Sequence, residues 1–395
     1  MKVLKNSIGN EVKIFAQTFE NEAYEQIKEI ANFEPYLNSK IRVMPDAHSG
    51  TGCVVGTTMT ISDKITPNLV GVDIGCGMLT IKFKNKGIDF DKLDRVIREK
   101  IPSGFNVHEV YKKNFNFENL RCAKYVDLNR AILSIGTLGG GNHFIEIDKD
   151  EDTGEMYLVI HSGSRKLGND ICKHYQNKAF QNANSEMNTI IKNLINKLKS
   201  EGREKEIESE IKKVKKPPVN KDLAFLSGRD FDDYINDITI AQKFASLNRE
   251  NIAEIIIKEL NLKEIDRFET VHNYIDTNSM ILRKGAVSAK KGEALIIPIN
   301  MRDGALICIG KGNEDWNYSA PHGAGRLMSR SEAIRIITLE EYNDSMKGIY
   351  STSVSKSTLD EAPQAYKPMN EIINAIKDTV EVIKVIRTVY NFKAS

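Results

Sequence analysis

Again and again the chain runs from a short β-branched segment into a glycine-rich turn, and this alternation limits what it can fold into. KIRVMPD, TTMTI, GMLTIKF and MYLVIHS are bounded by Gly, Asp or Pro and read as strands. GEALIIPIN and GALICIG renew the pattern beyond residue 281. FDKLDRVIREKI, between early strands, reads as a short amphipathic helix. NSEMNTIIKNLINKLKSEGREKEIESEIKKVKK sets apolar residues near helical spacing among Lys and Glu. It predicts a projecting helical insertion over about 175–217, ended by Pro217 and Pro218, whose charge run reads as a solvated face. DFDDYINDITIAQKFASLNRENIAEIIIKEL predicts another helix, and MNEIINAIKDTVEVI a last one before a short terminal strand. Strands and helices alternate throughout and no repeat is visible. The expectation is an α/β fold in one large domain, residues 1–395.

The 395 residues are 41% hydrophobic and 28% charged, enough for a substantial core. A net charge of +2 gives no global polyanion signal, so any nucleic-acid contact must come from a local patch. No apolar run is long enough to span a bilayer, and MKVLKNSIGN lacks the apolar core of a signal peptide, which points to the cytoplasm. The cysteines, Cys53, Cys76, Cys122, Cys172 and Cys308, are odd in number and form no CxxC pair. Neither a disulfide framework nor a zinc knuckle is indicated.

The chemistry concentrates in the turns. GVDIGCGM sets Asp73 and Cys76 three apart among glycines. Such a segment folds tightly and leaves room for a bulky group, and its carboxylate and thiolate can reach one metal ion. LGGGNHFIEI leads through Asn142 and His143 into a strand, and consecutive N–H groups in such turns form anion-binding concavities. In an extended segment His143 and Ile145 face one side, Phe144 and Glu146 the other. HSGSRKLG places His161 at a strand end and Arg165 close behind, where a guanidinium can fork onto a phosphate. VHNYID holds His272, MPDAHSGTGC holds His48, and APHGAGR leaves His322 among small residues, free to act as nucleophile, base or ligand. His108 and His174 lack such surroundings and read as structural or surface residues. Each motif alone is explained as well by a turn, a buried thiol or a surface arginine. Together, one Asp, one Cys and several His in glycine-rich settings point to a metal site beside a phosphate site. Ligand type alone favours zinc over manganese.

PDAHSGTGCVVG, GVDIGCGM, GGGNHFIE, HSGSR, HNY, RKGA and HGAGRLMSR, in this order, resemble the RtcB-type RNA ligases, the tRNA-splicing ligases. FLSGRDFDDY and DEAPQAYK extend the resemblance over nearly the whole chain. It implies an α/β fold of stacked β-sheets around a deep central cleft. It implies an enzyme using GTP and two Mn2+ ions to join RNA 3′-phosphate or 2′,3′-cyclic phosphate ends to 5′-hydroxyl ends, in RNA repair or tRNA splicing, alone or with a small activating protein. One ion would be held by Asp73, Cys76 and His143, the other by Cys76, His161 and His272. His322 would carry GMP. The nucleotide would meet Asn142, His143, Phe144, Ile145, Glu146, His272, Asn273, Pro298, Ile299, Asn300, Met301, Ala305, His322, Gly323, Ala324, Gly325 and Lys393. Glu146 would accept from the guanine edge, Lys393 would contact the base, Tyr366 would stack on it, and Arg165 would hold an RNA phosphate.

PINMRDGA, Pro298 to Ala305, departs from the PGSMG segment and following serine of many family members. Without that hydroxyl, preference for GTP over ATP is less secured than the metal site. A second reading keeps the metals but assigns only hydrolysis of RNA-end phosphates. It predicts no covalent nucleotide and activity that survives loss of His322.

Overall fold

The computed structural model describes residues 1–17, 20–84, 87–214 and 220–394. It is an α/β architecture with two large sheets. One has six strands in the order Lys2–Lys5, Glu11–Ile14, Ile41–His48, Val55–Thr60, Ile281–Lys284 and Asn273–Asp276. The other has seven, in the order Glu264–Val271, Gly77–Phe83, Met156–Ser162, Phe144–Asp150, Val380–Lys393, Gly304–Gly310 and Ala294–Asn300. Neighbours in the second sheet are all antiparallel. The C-terminal strand is longer than the sequence suggests. Val380–Lys393 has 14 residues and lies inside this sheet, which explains the early end of the preceding helix, Met369–Ala375.

The register follows burial. Ile145 and Ile147 enter one apolar cluster with Leu79, Ile81, Leu158 and Ile160, while Phe144 joins Met78, Tyr157 and Val159 on the other face. The two-residue period thus sends neighbours to opposite sides, and a one-residue slip would exchange them.

Phe90–Lys100 is the expected amphipathic helix, its first turn capped by the Asp89 carboxylate accepting from the Lys92 N–H. The charged segment is indeed helical, but its helix begins earlier than predicted. Arg165–Ser200 spans 36 residues, so the HSGSRKLG stretch supplies a helix start, with Arg165 as the first helical residue. A turn at Glu201 and Gly202 leads to a second helix, Ile207–Val214. The expected stop at Pro217 and Pro218, and part of the KKVKK run, lie outside the described residues. Gly228–Leu260 packs on the second sheet through Ile252, Ala253 and Ile256. Asn261, at φ 51°, ends it in the left-handed conformation that asparagine tolerates. Among the described residues no helix is long and apolar enough to cross a membrane.

Candidate metal and nucleotide site

Four adjacent strands of the second sheet bring the candidate metal-ligating side chains to one edge. His272 follows Glu264–Val271, Cys76 precedes Gly77–Phe83, His161 is next to last in Met156–Ser162, and His143 precedes Phe144–Asp150. Because neighbouring strands run oppositely, starts and ends alternate along that edge. The register Met78↔His161, Phe144↔His161 and Gly77↔Val271 fixes the group. The Asp73–Cys76 turn is stitched to its neighbour by the Gly75 N–H to Asn273 carbonyl bond (2.6 Å) and the His272 N–H to Cys76 carbonyl bond (2.9 Å).

Two donor sets result, Asp73, Cys76 and His143, and Cys76, His161 and His272, each with its donor atoms within 4.8 Å of one another. Cys76 Sγ lies 3.3 Å from Nε2 of both His143 and His161. His143 Nε2 is 2.9 Å from Asp73 Oδ2, and His161 Nε2 is 2.9 Å from His272 Nε2. The outward nitrogens explain the inward ones. His143 Nδ1 meets the Leu138 carbonyl at 2.9 Å and His161 Nδ1 the Asn142 carbonyl at 3.2 Å, which favours Nδ1–H tautomers with the Nε2 lone pairs turned inward. Imidazole nitrogens turned toward a thiol and a carboxylate form sets that a divalent transition ion would satisfy, so the residues present fit metal binding, with Cys76 common to both donor sets.

The electrostatics agree with that fit. Burial, then the Asp73 charge, pushes the Cys76 thiol well above its ordinary range when no cation is present. Burial and the facing imidazole of His272 hold His161 well below the usual histidine value, and burial with His322 brings His272 down to about 3. These imidazoles are neutral at pH 7 and ready to ligate. Loss of hydration opposes ionisation of Asp73, yet His143 and Arg165 hold its carboxyl below the usual range.

Two glycines make the close approach possible. A Cβ on Gly163 would overlap the Asp73 carboxylate, and one on Gly139 would overlap the Arg165 guanidinium. Arg165 itself sits at φ 56°, an uncommon conformation for a non-glycine residue, with Nη1 3.2 Å from His143 Nδ1.

His322 approaches from another element. It follows the short strand Ser319–Pro321, and its ring centroid lies 4.9 Å from that of His272. Asp46, fully buried in the strand Ile41–His48 of the first sheet, holds it. The Oδ2 atom accepts from His322 Nδ1 at 2.7 Å and from the His322 backbone N–H at 3.1 Å. With Nδ1 engaged in this way, Nε2 is the ring nitrogen not used by Asp46. A cleft opens beside His322, walled by His48, Asn142, Phe144, Glu146, Tyr366 and Lys393 among others.

Residues 26–125 and 109–394 match the family model described as tRNA-splicing ligase RtcB. The chain belongs to the RtcB family. It is 31% identical over 399 residues to an Escherichia coli protein named RNA-splicing ligase RtcB1, with 90% of each chain covered. It is 30% identical over 399 residues to RNA-splicing ligase RtcB of Escherichia coli K12, again with 90% of each covered. It is 24% identical to tRNA-splicing ligase RtcB of Methanococcus maripaludis, over 95% of this chain and 92% of that one.

Within this RtcB-family fold the residues expected to meet the nucleotide separate into two groups. Asn142, Phe144, Glu146, Pro298, Ile299, Asn300, Met301, His322, Gly323, Ala324, Gly325, Tyr366 and Lys393 line the cleft. Ile145 is fully buried in the core, and Ala305 packs among Phe144, Ile296 and Ile386, so neither side chain faces the cleft. Asn273 is engaged with the Gly285 N–H (2.9 Å) and the Asp73 carbonyl (3.4 Å), behind the metal donors. The divergent PINMRDGA stretch forms a self-contained turn. Asn300 Oδ1 accepts from the Arg302 and Asp303 N–H groups, and Arg302 pairs with Asp303.

Several functional positions carried no signal when the motifs were taken singly. Asp46 stood in the same segment as His48, with nothing local to tie it to residue 322. Glu361 is buried at the end of the cleft and holds Lys393, Arg330 and the Tyr366 hydroxyl together. Burial alone would raise its pKa, but Lys393 and Arg330 bring it down to about 2. Asn248 and Arg249 brace the metal turns from the helix Gly228–Leu260. Arg249 Nη1 donates to the Gly75 carbonyl (2.8 Å) and the Ser162 carbonyl (2.6 Å). His108 is buried against the Gly136 carbonyl (3.2 Å), and His174 stacks on Tyr125; both lie away from the donor sets.

Proposed function

We propose that this chain is an RNA ligase that works through a nucleotidylated His322. The observation that carries this reading is the His322–Asp46 pair set beside two donor sets that share Cys76. A hydrolase needs a metal-activated water, not a histidine on a cleft wall whose Nδ1 is engaged by a buried carboxylate, so that Nε2 is the nitrogen placed to react. Asp73, Cys76 and His143 would hold one ion and Cys76, His161 and His272 the other; bound there, they supply Lewis-acid stabilisation of phosphoryl charge. On the family resemblance these would be manganese, and the nucleotide GTP.

His322 Nε2 attacks the α-phosphorus; the P–N bond forms as the bond to the β-phosphate bridging oxygen breaks, and pyrophosphate leaves with the electron pair. Asp46 takes up the positive charge that develops on the imidazole through the Nδ1–H bond. An oxygen of the RNA 3′-phosphate then attacks the histidine-bound phosphorus, breaking the P–N bond and restoring the neutral imidazole. The 5′-hydroxyl of the second strand finally attacks the RNA phosphorus, giving up its proton, and GMP departs. A cyclic phosphate is hydrolysed to a 3′-phosphate first. Glu146 and Lys393, both on the cleft wall, would meet the base, and Arg165 would hold an RNA phosphate. The catalytic unit spans residues 1–395 and works in the cytoplasm on tRNA halves or broken RNA.

The test is incubation of the pure protein with Mn2+ and α-labelled GTP or ATP. Acid-labile label from GTP, absent in His322→Ala, supports the reading. Label from ATP instead would reassign the base. No label from either, in a protein that retains two metal ions, would move the assignment to an RNA-end phosphoesterase.

A further inference from the structure

Two of the candidate metal donors, Asp73 and His143, face a second cavity besides the nucleotide cleft. It has a volume of about 920 Å³, and Asp73, His143 and Arg165 form part of its wall. None of these three lines the nucleotide cleft, so the ions would lie between two chambers. Phe105 stands on the wall of the second one. It is 93% exposed, more than any other large apolar side chain among the described residues.

That exposure is built, not incidental. The Asn106 N–H donates to the Ser103 carbonyl (3.1 Å), closing a turn around Phe105. The Gly104 N–H donates to the Gly139 carbonyl (2.9 Å) and the Leu138 N–H to the Pro102 carbonyl (2.9 Å), fastening the turn to the glycine segment that carries His143. Arg130 Nη2 donates to the Phe105 carbonyl at 2.5 Å and fixes the residue from the other side. An apolar ring held outward by four hydrogen bonds gains nothing from water; its use is a flat partner.

The surroundings specify that partner. Arg130, Arg165, Lys166 and Lys173 line the cavity, against Asp73, Asp127 and Asp170. Asp170 is paired with Lys166 (2.6 Å), Asp127 caps the helix Leu128–Leu133, and Asp73 belongs to a metal donor set. Lys173 is exposed and has no ion pair among the described residues. Two more exposed aromatics extend the path outward. Tyr111 donates to Asn129, next to Arg130 (2.6 Å), and Tyr125 stacks on His174, next to Lys173, with ring centroids 4.1 Å apart. Cations interleaved with exposed rings form a surface for a single nucleic-acid strand, in which bases stack and phosphates pair.

Resting on the ligase reading, we infer that this cavity receives the 3′-phosphate-bearing RNA strand. Phe105 stacks on its terminal base, Arg130 and Lys173 hold its backbone, and the end phosphate reaches Arg165 beside the metal donors. The half-buried guanidinium suits a terminal phosphate rather than a neutral hydroxyl.

The experiment measures binding, not turnover. A short single-stranded RNA with a 5′ fluorophore and a 3′-phosphate is titrated with protein and followed by fluorescence anisotropy. Phe105→Ala should weaken binding about 5- to 150-fold, the range for loss of one base–aromatic stack, and Phe105→Trp should restore it. Removing the 3′-terminal base from the RNA should cost the wild type a similar factor and the Phe105→Ala variant nothing further. Lys173→Ala should reduce the salt slope by about 0.7. Unchanged binding by Phe105→Ala overturns the assignment. So does a base-removal penalty that persists in that variant, or one found only at the 5′ end of the 5′-hydroxyl strand. Nucleotide labelling of the same preparations separates the two claims. A wild type that takes no label overturns the ligase reading, whereas labelled protein with Phe105-independent RNA binding overturns only this inference.

Discussion

Asp46 Oδ2 lies 2.7 Å from His322 Nδ1, although the two residues are 276 positions apart. The carboxylate is fully buried and accepts twice from the same residue, so it sets both the tautomer and the orientation of the ring. Asp46→Asn keeps the shape but removes the charge that balances an imidazolium. Nucleotidylation of His322 should slow roughly 10²- to 10⁴-fold. Pre-steady-state labelling with α-labelled nucleotide reads this directly, and metal content measured in parallel should be unchanged. A wild-type labelling rate would show that Asp46 only supports the strand.

Cys76 belongs to both donor sets, whereas Asp73 and His161 belong to one each. Cys76→Ala should therefore lower metal content toward zero, and His161→Ala should leave about one ion of the pair. Elemental analysis after dialysis against Mn2+ measures both. The same logic governs stability. At metal concentrations near 100 times Kd, wild type gains about 2.7 kcal/mol per site from ligand linkage, and Cys76→Ala gains almost none. Adding a chelator should lower the wild-type Tm and leave that of the variant in place.

Much of this was legible in the residues. Glycine-rich turns carrying Asp73, Cys76, His143, His161 and His272 announced a metal site, and the two-residue period correctly set Phe144 and Glu146 opposite Ile145. What stayed hidden depended on distance in space. The Gly139 and Gly163 positions read as turn residues, but their service is to clear room for Arg165 and Asp73, which no local pattern reveals. The terminal strand looked short because its alternation is broken by register shifts against both neighbours. Arg165 read as a loop residue because the preceding serines and glycine mask the helix start.

Asn248 ties two of those turns to one helix. Its Oδ1 accepts from the Gly136 and Thr137 N–H groups (2.8 and 3.1 Å). Its Nδ2 donates to the Thr137 and Gly163 carbonyls, both at 3.1 Å, and to Ser162 Oγ at 3.0 Å. Asn248→Ala leaves buried backbone groups unpaired and should cost on the order of 3–5 kcal/mol. Urea unfolding of the chelated protein gives that number free of the metal contribution. Gly163 faces Asp73, so the variant should also bind metal more weakly; stability lost with metal affinity intact would mean that the brace and the site are independent.

Glu146 and Asp148 occupy one face of the same strand, both buried. Burial, then the Asp148 charge, pushes Glu146 well above the carboxylate range, and burial pushes Asp148 up to about 7. In its proposed role as acceptor for the guanine edge Glu146 must be ionised, so on that reading guanine-nucleotide binding should strengthen as pH rises through its pKa. Asp148→Asn removes the charge that raises this pKa, and the rise should move to lower pH. Stability moves in the complementary sense. A carboxyl whose folded pKa lies above its unfolded value costs nothing below about pH 4. The cost then grows with pH until the folded pKa, near 7 for Asp148, is passed. The Tm of Asp148→Asn relative to wild type should therefore climb between pH 5 and pH 7 and level off above. Titrating GTP labelling and Tm over the same pH range checks both halves. A labelling midpoint that stays in place while Tm follows this course would leave Asp148 a burden on folding with no part in base recognition.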